Sequence, residues 1–138
     1  MLQGTMDSFR LDGVRVLVVD DVPAVLDVVT AMLVENGASV TAVGTAEAAL
    51  AVLRRDRPTV LVSDLSMPDK GGYWLIGQVR ALPPERGGAT PAAALTGLTG
   101  SVHRASALRA GFQYHVEKPL GVVDLVGIVA ILARKDDA

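Results

Sequence analysis

Short β-branched apolar runs alternate along this chain with longer stretches whose apolar residues recur at helical spacing. Val14-Arg15-Val16-Leu17-Val18-Val19 reads as a buried strand. Pro23 to Asn36 follows, with Val25, Leu26, Val29, Met32 and Leu33 at the three- and four-residue intervals of a helix. Pro23 suits the first helical turn and Gly37 the C-terminal cap. Ser39 to Val43 predicts a second strand; Thr45 then caps a helix from Ala46 to about Arg55, with Glu47 in its first turn favouring the dipole. Pro58 stops that helix from continuing, and Thr59 to Ser63 predicts a third strand. The turn-rich Met67 to Gly72 leads into a helix from about Tyr73 to Ala81. Leu82 to Gly88, with two prolines and two glycines, is expected as a surface loop, neither helix nor strand. Ala92 to Thr96 is a fourth strand, and Ser101 caps a helix ending at Gly111. Tyr114 to Glu117 is a short fifth strand, broken by Pro119 before a last helix from Val122 to about Ala133.

Five consecutive βα units imply an α/β fold: a parallel sheet with right-handed crossovers and helices on both faces. Strands buried on both faces read as continuous apolar runs, as Val16 to Val19 and Val60 to Val62 do. In such sheets ligands bind outside the carboxyl ends of the strands, at the switch in strand order.

Composition narrows the classes. At 138 residues, half of them apolar and a fifth charged, the chain has the length of one domain and enough apolar residues to bury a core. No repeat or low-complexity tract is visible. The longest apolar run, Ile128 to Ala133, is far short of the ~18 residues a membrane span needs. Asp7, Arg10 and Asp12 stand where a secretion signal would be apolar, so a cytoplasmic location is expected. Without cysteine there is no disulfide, thiol nucleophile or thiolate metal site. A net charge of −2 with acids and bases interspersed lacks the basic footprint of a nucleic-acid binder.

The chemistry-bearing residues gather at the carboxyl ends of the strands. Strand one ends in Asp20-Asp21, strand three in Ser63-Asp64, strand four in Thr96-Gly97, and strand five runs into Lys118-Pro119. Each has an ordinary structural explanation. Asp21 before Val22-Pro23 could be a turn former or helix cap and Asp64 an Asx turn; Thr96 could be a β-former and Lys118 an edge charge. Their joint arrival at four strand ends is harder to explain that way, and three clustered carboxylates call for a cation. Magnesium takes hard oxygen ligands, commonly one or two carboxylates, and His103 and His115 lie too far apart for a histidine site. A carboxylate beside a divalent cation and an ammonium is placed to attack a phosphoryl group, and Thr96 to hydrogen-bond the product.

Val-Leu-Val-Val-Asp20-Asp21, Leu-Val-Ser-Asp64-Leu-Ser-Met-Pro68, Ala-Leu-Thr96-Gly97 and Glu-Lys118-Pro119 resemble the signature of the response-regulator receiver domain of two-component phosphorelay signalling, from about Val14 to Ala133. The resemblance implies a flavodoxin-like (βα)5 fold with strand order 2-1-3-4-5. It implies a phosphorylation-operated switch rather than an enzyme with a separate substrate. Asp64 would be the phosphoacceptor, served by a histidine kinase or histidine phosphotransfer protein. Asp21 would ligate Mg2+ (or Mn2+) directly, Asp20 mostly through water, and Ser66 through its backbone carbonyl. Thr96 and Lys118 would engage the phosphoryl group, His115 would occupy the switch position three before Lys118, and Ser66 and Leu98 would tune phosphoryl lifetime. Lys118-Pro119 is a candidate cis bond. The face of the fourth helix, fifth strand and fifth helix would meet a partner or a second copy, with no nucleic acid and no direct membrane contact.

Finer resemblance divides the chain into a linker or remnant over 1–10, the receiver over 11–135 and a tail over 136–138. The segments from Arg80 to Gly88 and from Gly111 to His115, with the lead-in Leu11 to Arg15, are similar to receivers at the C-terminus of hybrid histidine kinases. A free-standing single-domain regulator, or a degenerate receiver serving only as an interaction module, are the alternatives. Val22, Ala24, His115 and Lys70 depart from the commonest receiver pattern; Lys70 would be solvated or would lean toward the acidic pocket. A flavin binder would want a Ser/Thr/Gly-rich phosphate loop after strand one, where this chain has Asp20-Asp21-Val22-Pro23. A related phosphohydrolase would need a general acid at Ser66.

Overall fold

The computed structural model describes residues 10–96, 101–117 and 122–134. Gly97, Leu98, Lys118 and Pro119 lie outside the described residues, and with them the assignments made to Leu98 and Lys118 and the candidate cis bond.

Five strands, β1 (Arg15–Val19), β2 (Ser39–Val43), β3 (Val60–Asp64), β4 (Ala92–Thr96) and β5 (Tyr114–Glu117), form one parallel sheet in the order β2-β1-β3-β4-β5. Between and after them run α1 (Pro23–Glu35), α2 (Ala46–Asp56), α3 (Gly72–Arg80), α4 (Ser101–Ala110) and α5 (Val122–Ala133). Every expected element is present, displaced by at most a residue or two. Ser101 is the first residue of α4 rather than its cap.

Alternate residues of each strand feed opposite cores. Val16, Val18, Val60, Val62, Ala93 and Leu95 pack with Val29 and Leu33 of α1 and Leu125 and Val129 of α5. Leu17, Val19, Leu61, Ala92 and Ala94 pack with α2, α3 and Ala107 of α4. The central strands β3 and β4 are buried along their whole length, whereas the edge strand β2 has no buried residue.

Local chemistry sets the helix ends. Thr45 Oγ accepts from the Ala48 N–H at 3.1 Å, and Pro23 opens α1. Gly37 follows α1 with φ +102°, a left-handed conformation that favours glycine.

The expected loop over Leu82 to Gly88 contains a single 3₁₀ turn, Pro84–Arg86, which corrects the reading of no helix there. Pro84 pre-sets φ for its first position, and Gly87 ends it in the left-handed region at φ +104°.

Candidate functional site

Parallel register brings the strand ends to one edge. Val19 pairs with Ser63, and one step further stand Asp20 and Asp64 on neighbouring strands. Asp64 is the last residue of β3, opposite Leu95, with Thr96 ending β4 beside it. Asp20, Asp64 and Thr96 are buried, at 0, 4 and 2% exposure, while Asp21 is exposed at the rim. Asp20, Asp21 and Asp64 each present a carboxylate oxygen, and the three oxygens lie within 4.8 Å of one another.

The ordinary structural roles fall differently from the expectation. The residue preceding α1 is Val22, with no side-chain cap, so Asp21 caps nothing. Asp20 is the turn former: its Oδ1 accepts from the Val22 N–H at 2.9 Å. That bond fixes the Asp20 carboxylate at the carboxyl end of β1. Two buried carboxylates and an exposed one at this spacing repel one another, and their donor chemistry is that of a hard, oxygen-seeking cation.

The loop after β3 is pressed onto the strand end. A Cβ on Gly72 would stand 2.3 Å from the Asp64 carbonyl oxygen, and one on Gly71 2.6 Å from that of Leu65. The Gly72 N–H donates to Leu65 O at 3.1 Å, and Ser63 Oγ donates to Asp64 O at 2.9 Å. Gly71, Gly72 and Ser63 are thus positioning residues that the sequence reading missed, having taken the glycines only as turn formers. The adjacency of a Gly-Gly pair to the loop after Asp64 was the available signal. Ser66 is exposed on this loop.

Lys70 is solvated over much of its length, its side chain 43% exposed, and its ammonium is engaged outside the acidic pocket. Its ammonium lies 3.5 Å from Glu47 Oε2 on α2 and 5.4 Å from the ring centroid of Trp74 on α3. The ion pair and the cation–π contact draw it away from the carboxylates, tying the loop after Asp64 to α2 and α3.

His115 sits half-buried in β5, paired with Ala94, and Tyr114 on the opposite face is exposed. Its Nε2 is buried without a hydrogen-bond partner among the described residues.

The chain belongs to the response regulator receiver domain family, whose model matches residues 16–130. It is 43% identical over 114 residues to an "Uncharacterized 14.6 kDa protein in sodA1 3'region" of Leptolyngbya boryana, covering 83% of this chain and 86% of that one. It is 34% identical to the "Probable transcriptional regulatory protein TcrX" of Mycobacterium tuberculosis, covering 91% of this chain and 53% of that one, about half its length. A "Hybrid signal transduction histidine kinase D" of Dictyostelium discoideum matches at 28% identity, over 91% of this chain and 8% of its own length. The receiver domain of the Francisella response regulator 1452 superposes with a TM-score of 0.82 at 25% identity, covering 90% of this chain and 99% of that one. The fold and the acidic cluster are accordingly those of a phosphoacceptor signalling domain. No helix among the described residues is long and apolar enough to cross a membrane.

Proposed function

We propose that Asp64 accepts a phosphoryl group from a histidine kinase or histidine phosphotransfer protein, and that the product alters the face formed by α4, β5 and α5. The observation that carries this reading is the convergence of three carboxylate oxygens within 4.8 Å at the end of β3 of a receiver domain. Asp64 Oδ would attack phosphorus as the donor P–N bond breaks, the leaving imidazole nitrogen keeping the electron pair and taking up a proton. Asp20, Asp21, Asp64 and the Ser66 carbonyl would hold Mg2+ (or Mn2+), which supplies positive charge against the phosphoryl oxygens. The fit is favourable: oxygen ligands at about 2.1 Å from an ion lie about 3 to 4 Å apart, close to the spread of the cluster.

Asp64, buried at the strand end with its carbonyl held by Ser63, keeps the nucleophile fixed. Thr96, buried at the neighbouring strand end, would donate its hydroxyl to the new phosphoryl group, and Lys118 would pair with it. His115, two strand positions before Glu117, would follow that movement into the α4-β5-α5 face. Ser66 and Leu98 would shape how water reaches the phosphoryl group. The domain promotes its own phosphorylation and dephosphorylation and acts in the cytoplasm.

The resemblance of Arg80 to Gly88 and of Gly111 to His115 to hybrid-kinase receivers supports a place within a hybrid histidine kinase. A second reading, a free-standing single-domain regulator, is favoured by the 14.6 kDa relative of which the match covers 86%. Immunodetection of the native polypeptide, at the size of a kinase or of a single domain, separates the two.

The test of the function is transfer from a panel of phosphorylated histidine kinases, with and without magnesium. Label should pass to the parent chain and not to Asp64→Ala, and beryllofluoride with magnesium should shift NMR resonances around Thr96 and β5. Equal labelling of Asp64→Ala, or no response to any donor, overturns it.

A further inference from the structure

At the sheet edge opposite the acidic cluster, α2 and the 3₁₀ turn border an open cleft of about 650 Å3 lined by Ala51, Arg54, Arg55, Arg57, Leu82, Pro83 and Arg86. Four of its seven lining residues are arginines. We infer that this cleft is a binding site for a phosphate-bearing ligand of nucleotide size, separate from the phosphoacceptor site and independent of the function proposed for it.

Three observations carry the inference. First, the arginines are unequally committed. Arg55 is neutralised by its neighbour Asp56, at 2.9 and 3.0 Å. Arg54 and Arg86 are exposed, and their side chains make no hydrogen bond or ion pair among the described residues. Two guanidinium forks therefore face the cleft with their donors unspent, the geometry that matches phosphate bidentately.

Second, the cleft is built rather than incidental. Arg57 occupies the left-handed region at φ 50°, just past the end of α2, where glycine is the usual residue. Its side chain donates to Arg54 O at 3.1 Å and to Glu85 O at 2.6 Å, clamping the 3₁₀ turn against the helix end. Its own carbonyl accepts from Arg15. A strained residue whose side chain holds two walls of a charged cleft is the kind of outlier found at ligand clamps.

Third, the lining fits one ligand class better than its rivals. Leu82, Pro83 and Ala51 add an apolar part to the arginine-rich lining, against which a planar base can lie. The volume lies within the range of small-molecule sites, and inorganic phosphate would leave most of it unfilled. An extended acidic peptide needs a groove longer than one helix end and one turn.

The cleft opens at the amino ends of the strands, whereas ligands of open α/β sheets ordinarily gather at the carboxyl ends. A ligand here would touch α2 and the turn before β4, and Lys70 already links α2 through Glu47 to the loop after Asp64.

The test is fluorescence anisotropy of the full chain with a mant-labelled ADP, in EDTA and low salt so that the acidic cluster holds no cation. Saturable binding is expected, weakened by added salt. The double variant Arg54→Gln/Arg86→Gln should bind at least about tenfold more weakly, a loss of about 1.4 kcal/mol. Its melting temperature should be unchanged, because both side chains are exposed and unbonded. Asp64→Asn should bind as the parent does, and tripolyphosphate should compete less well than ADP. Absence of saturation into the millimolar range, unaltered binding by the double variant, or loss of binding in Asp64→Asn overturns the inference. Polyglutamate competing better than ADP also overturns it, since an acidic protein segment is then the occupant.

Discussion

The two edges of this sheet carry opposite charge and handle it differently. At the carboxyl edge three carboxylates converge within 4.8 Å, two of them buried. At the amino edge three guanidinium groups are completed by the backbone. Arg15 donates to the carbonyls of Asp56 and Arg57, and Arg57 to those of Arg54 and Glu85. Arg80, at the end of α3, donates to Gly88 O, Thr90 O and Gly111 O at 2.7 to 3.0 Å and to Gln113 Oε1 at 3.2 Å. Gln113 Oε1 in turn accepts from the Ala92 N–H at 2.7 Å, so one cation joins α3 to the entries of β4 and β5. Burial holds the Arg80 guanidinium below arginine's ordinary value, yet it remains a cation wherever the fold survives. The contrast separates two uses of charge. Cations answered by fixed carbonyls are architecture, whereas like charges held together by the fold stay responsive to whatever cation or phosphoryl group arrives.

The largest effect is expected at Arg80. Arg80→Met should cost about 3 kcal/mol, because the carbonyls of Gly88, Thr90 and Gly111 lose their donors together. Arg80→Lys should recover less than half of that, since an ammonium cannot span the fork; urea midpoints of the three proteins measure both. At the opposite edge, Gly72→Ala should cost about 2 kcal/mol by forcing a methyl against the Asp64 carbonyl. The same variant should weaken the magnesium response of Trp74, the only tryptophan, whose emission reports on the Lys70 contact. Unchanged stability in that variant would remove the glycine argument.

Asp21→Asn should act with the opposite sign. In EDTA it should raise stability by about 1 kcal/mol, by relieving repulsion at the exposed rim of the cluster. With magnesium present that advantage should shrink or reverse. A destabilised Asp21→Asn in EDTA would mean that the cluster is not under repulsion.

The smallest effect belongs to Asp56, whose bond to Arg55 holds its carboxyl below the ordinary carboxylate value. A depressed folded-state value stabilises above the unfolded value of about 3.9 and is lost as pH falls through the folded one. Asp56→Asn should therefore flatten the acid limb of the stability profile only below about pH 4, near the limit of detection for so exposed a pair.

Much of this was legible in the letters because parallel α/β order is written locally. β-branched runs, a proline opening α1, Thr45 before α2 and glycines after helices each specify an element through neighbours in the chain, and the elements then admit few topologies. The same logic placed Asp20, Asp21, Asp64 and Thr96 at one edge, since residues at carboxyl ends of adjacent parallel strands must meet. The residues that escaped depend on approaches between distant segments. Gly72 is required by the Asp64 carbonyl eight residues away, and Lys70 is directed by Glu47 and Trp74. No local pattern marks Arg80 as a cross-link, and only packing reveals four partners drawn from two loops.

Periodicity and capping act over a few residues, so the elements, their order and the residue types at the strand ends are all written in the local sequence. Which of those groups share a space is set by the packing of the elements. It made Asp20 rather than Asp21 the turn former, pulled Lys70 away from the acids, and left Arg54 and Arg86 open on a cleft. Distances between side chains depend on register and close packing, which no local pattern encodes.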